Sequence, residues 1–280
     1  MEKFLIGWLV AMGIAYGAYR ARSLNVSGAI AAGILGTIVL GLGGAAWALV
    51  LLTFFITSSF LSNIFRMRKA DVNQHFEKGG QRDAGQVLAN GGMAGLFALI
   101  YFVIQQIDAT NRILPLLWIG FAASLAGANA DTWATELGVL DRCQPVLLRT
   151  FKKVPVGTSG AVSLMGSLAA LSGSALIGGM AVLTSRFGWA PQTNIPLWVV
   201  FLSISSAGVV GALVDSFLGA TLQAVYFCEN CQKETERHAL HYCGTCTTLK
   251  RGLPWMNNDW VNTACTLSAG LAGILIILYL

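Results

Sequence analysis

Four cysteines near the end of the chain have the clearest chemical spacing: Cys228-x-x-Cys231, then eleven residues, then Cys243-x-x-Cys246. Two such pairs supply four thiolates, the donor set of a closed, structural tetrahedral Zn²⁺ site. His238 and His241 lie between the pairs, so either could replace a thiolate. Disulfides are the competing reading, and a loop on the reducing side of a membrane argues against them.

The carboxylates form a second group. Asp215 falls inside an apolar run, in Gly208-x-x-Gly211-x-x-x-Asp215-x-x-x-Gly219, where helical spacing sets it on a glycine-lined stripe. A charge at membrane depth is expensive and is read first as functional. Asp131 and Glu136 close another apolar run. Five residues apart, they point about 140° apart on a helix, so each must meet groups on other elements. Asn257-Asn258-Asp259 opens the last apolar run, with Asn262 one turn past Asn258. Helix capping is the plain reading for Asn258 and Asp259.

A third group suits phosphate. Pro155-Val156-Gly157-Thr158-Ser159-Gly160 offers flexible backbone and hydroxyls leading into a helix, and Lys152 and Lys153 precede it. The segment 65–92 adds Lys69, Lys78, Gln81, Arg82 and Asn90-Gly91-Gly92. Taken singly, each lysine is ordinary loop charge. Anion donors beside carboxylates able to hold Mg²⁺ suit phosphoryl transfer. The G-x-x-x-x-G-K-[ST] phosphate loop is absent from the sequence.

The elements that must position these groups are membrane helices. Of the 280 residues 55% are apolar and 11% charged, with mean hydropathy +0.65. Soluble domains carry about a quarter charged residues. A net charge of +5 therefore reads as basic loops rather than a nucleic-acid surface. Eight runs approach the length of about 20 residues that crosses a bilayer: 4–19, 27–44, 46–64, 93–107 (starting nearer Gln86), 113–130, 159–183, 196–225 and 259–280. The first could be a signal-peptide core, but it lacks an A-x-A site and is followed by Arg20 and Arg22, so it reads as a span. With eight crossings, all 18 basic residues but Lys3, Arg112 and Arg186 fall on one side. The positive-inside rule makes that side cytoplasmic and puts both termini outside. The expected fold is all-α: one polytopic transmembrane domain over 1–280, with about eight helices. A cytoplasmic zinc-knuckle loop, 226–258, is inserted between the last two spans.

Five segments, Lys78–Gly92, Asn129–Gly138, Pro155–Ser163, Asp215–Gln223 and Asn257–Asn262, resemble signature stretches of the domain-of-unknown-function-92 membrane family. That family includes a plant phytyl-phosphate kinase and animal transmembrane protein 19. The resemblance implies an integral membrane enzyme, in the inner membrane if the cell is bacterial. It would move a phosphoryl group from a nucleoside triphosphate (CTP or ATP) to an isoprenoid monophosphate. Such an acceptor is already an anion, so charge neutralisation and alignment matter more than a general base. On the matching segments, Asp131, Glu136, Asp215 and Asp259 would hold Mg²⁺ directly or through water, Asp131 and Asp215 foremost. Lys78, Arg82 and the turn Gly157, Thr158, Ser159 and Gly160 would hold phosphates. Asn90, Asn129, Asn258 and Asn262 would orient oxygens. Zn²⁺ at Cys228, Cys231, Cys243 and Cys246 would be structural.

Partners would be the isoprenoid phosphate, the nucleotide and membrane lipid, not nucleic acid, with a homo-oligomer left open. Two alternatives remain. Another lipid-phosphate nucleotidyl- or phosphotransferase shares the chemistry, although the D-x-x-D-G-x-x-A-R pattern of CDP-alcohol phosphotransferases is missing. A secondary transporter would use Asp215 and glycine-broken helices.

Overall fold

The computed structural model describes residues 2–65 and 81–280. Lys69 and Lys78 lie outside the described residues. Among the described residues eight α-helices run in chain order: α1 Glu2–Arg20, α2 Val26–Ile38, α3 Ala45–Phe65, α4 Ala84–Ile107, α5 Leu114–Gly138, α6 Leu164–Arg186, α7 Leu197–Thr221 and α8 Asn258–Tyr279. Six stretches among these described residues are long and apolar enough to cross a membrane: Val26–Gly43, Ala45–Ile64, Ala84–Ile107, Leu164–Arg186, Leu197–Thr221 and Asn258–Tyr279. The protein is therefore a polytopic helical membrane protein. The apolar part of α1, Phe4–Arg20, is shorter.

α5 is less apolar for a reason visible in its packing. It lies against α3, α4, α6, α7 and α8, and every residue from Leu117 to Ala130 is buried. A helix walled by protein on all sides faces little lipid, so it can carry Ser124, Asn129 and Asp131 in place of an apolar coat.

Small residues set the spacing of this core. A Cβ added to Gly211 of α7 would lie 2.8 Å from Cys265 O of α8, and one added to Gly173 of α6 would lie 2.9 Å from the Trp133 ring of α5. Close backbone approach of this kind holds membrane helices together where lipid gives no hydrophobic drive. Hydrogen bonds add to it. Ser174 Oγ donates to Ser205 O at 2.6 Å, and Thr266 Oγ1 to Ala89 O at 3.2 Å.

Several boundaries differ from those expected. α5 runs on to Gly138, so Asp131 and Glu136 sit on its last two turns rather than beyond it. α6 starts at Leu164 with Ser163 as its N-cap, five residues later than expected. The intervening Ala161–Val162 (β2) pairs antiparallel with Val146–Leu147 (β1). Strand pairing holds the Gly157–Gly160 turn away from the helix start. Between α7 and α8, β3 (Val225–Cys228), β4 (Lys233–Thr235) and β5 (Thr247–Arg251) form an antiparallel sheet in the order β4-β3-β5.

Candidate functional site

Three helices finish and three begin around one polar cavity of about 450 Å³. α3, α5 and α7 bring their C-terminal ends; α4, α6 and α8 bring their N-termini, capped by the Asp83, Ser163 and Asn257 side chains. Three helix N-termini place partial positive charge and free backbone N–H groups around the space.

Asp131 of α5 and Asp215 of α7 both line this cavity, their carboxyl groups close enough to act on one another. The Asp215 Oδ2 atom is shielded from solvent and has no hydrogen-bond partner. Two carboxylates held this close need a shared proton or a cation between them. Glu136, about one and a half turns further along and on the other side of α5, accepts from Ser62 Oγ of α3 at 2.9 Å and faces the Arg82 guanidinium. Burial draws the Arg82 guanidinium down to about 10, with Glu136 working in the opposite sense, so it keeps its charge at neutral pH.

The position of Arg82 is fixed by its backbone. Arg82 N donates to Ser23 O at 3.0 Å, and Asn25 N donates to Arg82 O at 3.1 Å. Gly28 of α2 packs against the same carbonyl; a Cβ there would overlap it. The capping box of Asp83 and Gln86 then starts α4 immediately after the arginine.

Gly157, Thr158, Ser159 and Gly160 all line the cavity. The two glycines take positive φ, 89° and 78°, and a Cβ on Gly160 would lie 2.6 Å from Ser216 O of α7. The hydroxyls of the turn are engaged locally. Thr158 Oγ1 donates to Pro155 O at 2.8 Å, and Ser159 Oγ donates to Gln223 Oε1.

Asn258 and Asn262 share the α8 face that lines the cavity, while Asp259 sits about 100° around the helix and is not part of the lining. Asn90 lines the cavity, its Nδ2 donating to Gln86 O at 2.9 Å. Asn129 stands apart. It is fully buried, donates to Gly173 O at 2.8 Å and accepts from Thr57 and Ser58, tying α5 to α6 and α3.

A family model described as "Integral membrane protein DUF92" matches residues 9–270. The chain belongs to the DUF92 family. Protein PGR of Arabidopsis thaliana is 35% identical over 234 residues, 81% of each chain. The uncharacterized membrane protein MJ0933 of Methanocaldococcus jannaschii is 30% identical over 257 residues, 92% of this chain and 87% of that one. Protein VTE6, chloroplastic, of Arabidopsis thaliana is 26% identical over 239 residues, 85% of this chain and 61% of that protein. No solved structure matches.

This DUF92 chain has a second cluster, in the loop between α7 and α8. The donor atoms of Cys228, Cys231, His241 and Cys243 all lie within 4.8 Å of one another. Cys246 is not in the group; its backbone bridges to Leu240 beside β5. Three of the four expected cysteines thus come together with one of the intervening histidines. Hydrogen bonding with Thr245 and His241 pulls the Cys243 thiol down to about 5, while hydrogen bonding with Cys243 pushes Cys231 up to about 11.

The same loop reaches the cavity. Glu236 and Arg237 line it, and Gln223 Nε2 donates to Glu236 Oε1 at 2.8 Å. Arg251 donates to Gly219 O at 2.9 Å and to Ser159 O at 3.2 Å. Sequence reasoning missed Ser62, Gln86, Gln223, Glu236 and Arg237. Gln86 and Gln223 lay inside recognised segments, and Ser62 belongs to a run of Thr and Ser on an otherwise apolar helix.

Proposed function

We propose that this protein is an isoprenoid-phosphate kinase. It moves the terminal phosphoryl group of a nucleoside triphosphate, CTP or ATP, to a phytyl- or geranylgeranyl-type monophosphate. The observation that carries the reading is the convergence of Asp131 and Asp215 with Glu136 and Arg82 in one cavity at helix N-termini. The lining has four acidic side chains, Asp131, Glu136, Asp215 and Glu236, and two basic ones, Arg82 and Arg237. Mixed charge of this kind fits phosphates bridged by a divalent cation better than a bare anion site. The resemblance to a family with a plant phytyl-phosphate kinase supplies the substrate class.

In the proposed step a lipid phosphate oxygen attacks the terminal phosphorus, the bond to the bridging oxygen breaks, and the nucleoside diphosphate leaves. Asp131 and Asp215 would hold Mg²⁺, which neutralises the charge on both phosphates. Arg82 and the backbone of the Gly157–Gly160 turn would align them, and Asn90, Asn258 and Asn262 would orient their oxygens. The cavity would face the cytoplasm, with both termini outside, in a single domain of eight spans.

Zn²⁺ would be structural at Cys228, Cys231, Cys243 and His241. Cys228 Sγ and Cys243 Sγ are 3.6 Å apart. Two thiolates on a tetrahedral zinc with bonds of about 2.3 Å stand roughly 3.7 Å apart. A site of this kind folds the loop that presents Glu236 and Arg237.

The test is to incubate purified protein with Mg²⁺, CTP or ATP and phytyl or geranylgeranyl monophosphate, and to detect the diphosphate by mass spectrometry. Diphosphate from wild type, lost in Asp131→Asn and Asp215→Asn, is the expected result. Folded protein giving no product with any nucleotide or chain length overturns the kinase in favour of a secondary transporter.

A further inference from the structure

Beside the polar cavity lies a second, partly open space of about 300 Å³, lined by α1, α2, α3 and α4. Its walls are alanine, leucine, isoleucine, valine, phenylalanine and glycine, with three polar exceptions. The exceptions are Arg82, Gln86 and Asn90, and these three residues also line the polar cavity. The two spaces therefore share one wall, and that wall is where the chemistry changes from apolar to charged.

The shared wall is built for an amphipathic ligand. The Arg82 guanidinium lies 5.8 Å over the Phe54 ring, which lines the apolar side, and faces Glu136 on the polar side. Leading away from it, the apolar space follows α3 from Phe55 back to Ala45, a depth of roughly 15 Å at helical rise. Ala15, Ala32 and Ala48 face it from three different helices. Small side chains there leave room open that leucine or phenylalanine would fill.

We infer that the chamber between α1 and α4 is the seat of the single hydrocarbon tail of the phosphate-terminated isoprenoid, whose phosphate rests against Arg82. The inference builds on the proposed function, because that reading supplies the phosphate at the polar end. It adds where the tail goes and what limits its length. A straight prenyl chain suits a narrow chamber with one polar end. A two-tailed bilayer phosphatidic acid carries the same headgroup chemistry but a second chain with no place in the chamber.

The experiment uses full-length protein in detergent and measures binding as well as turnover. Probes are geranyl, farnesyl, geranylgeranyl and phytyl monophosphates, with dioleoyl phosphatidic acid as competitor. Ala32→Phe and Ala48→Phe fill the chamber from two helices, and Leu202→Phe, on an exposed face of α7, is the control. Filling the chamber should weaken the longer chains by about ten-fold or more, as loss of packed methylenes does, and leave geranyl monophosphate near wild type. A photoreactive group at the far end of a farnesyl monophosphate should cross-link wild-type protein within α1–α4, which keeps the test alive should a variant misfold. Phosphatidic acid should compete poorly.

Equal weakening of every chain length, no effect of either filler, or cross-links outside α1–α4 overturns the chamber. So does phosphatidic acid displacing the prenyl ligand, or a failure of every lipid phosphate to bind. Tail-length-dependent binding without turnover keeps the chamber and overturns the kinase; turnover indifferent to the fillers does the reverse.

Discussion

Where α3 and α5 begin, Trp47, Trp118 and Phe121 interlock with Tyr101 of α4. The Trp47 ring centroid lies 4.5 Å from Phe121, 4.8 Å from Tyr101 and 5.1 Å from Trp118, and all four side chains are buried. Where the same helices end, or begin in the case of α4, the lining is Ser, Asn, Asp, Glu and Gly around open space. Along α5 the two regions are separated by the distance from Trp118 to Glu136, roughly 27 Å at helical rise, close to the thickness of a hydrocarbon layer. One end of the bundle is plugged by large rings and the other is held open by small and polar residues. A path through the membrane would have to breach the aromatic end. A site entered from one face needs that end only as a foundation.

The contrast is sharpest in what each end should tolerate. At the open end, Asp131→Asn and Asp215→Asn should each lower diphosphate formation on the order of a thousand-fold, the scale of removing a key electrostatic group from a preorganised site. Each also relieves a contact between two carboxylates, so the thermal midpoint should hold or rise. Activity kept within a few-fold in either variant would separate the cavity from the chemistry. At the plugged end, Trp47→Ala should lose about 3–5 kcal/mol of stability by opening a cavity among packed rings. Its KM should stay unchanged in what remains folded. Normal stability with lost turnover in Trp47→Ala would mean that the aromatic cluster belongs to the working part of the molecule.

A smaller effect tests how the open end is braced. Gly28 touches no ligand in the proposed arrangement, yet an added methyl would overlap the Arg82 carbonyl. Gly28→Ala should raise KM for the lipid phosphate by about ten-fold, in line with the value of a displaced charge-assisted hydrogen bond, and leave kcat within a few-fold. Loss of kcat with KM unchanged would show that Arg82 acts on the reacting phosphoryl group rather than on the bound lipid.

The helices could be read from the sequence because apolar runs of membrane length leave few other folds. Their ends could not be read as well. Asp131 and Glu136 fall beyond the apolar run 113–130, yet α5 continues through them to Gly138, its last two turns lining the cavity. Ser159-Gly160-Ala161 looks like the start of a helix of small residues, yet pairing of β2 with β1 draws it into a turn and strand. The acidic pair across α5 and α7 was foreseeable only as two separate expensive charges, since nothing local says that Asp131 and Asp215 meet. Asn129 shows the opposite case. Its residue type suits an oxygen ligand, and its surroundings use both ends of the amide to join three helices.

The Cys-rich loop gives the finest distinction. Spacing favours Cys246 as the fourth donor, while the fold turns His241 and Cys243 onto Cys228 and leaves Cys246 at the base of β5. Purified protein should carry one zinc per chain, measured by elemental analysis. Cys246→Ser should keep that zinc and hold activity within about two-fold, since a surface substitution outside a bound site changes little. His241→Ala should lose most of the zinc, because a three-thiolate remainder lacks the fourth donor of a closed site. It should also slow turnover, since the loop that it folds presents Glu236 and Arg237 to the cavity. Zinc lost from Cys246→Ser and kept in His241→Ala would restore the four-thiolate set. It would mean that the loop between β4 and β5 closes differently around the metal, and that the position of Glu236 at the cavity rim must be drawn again with it.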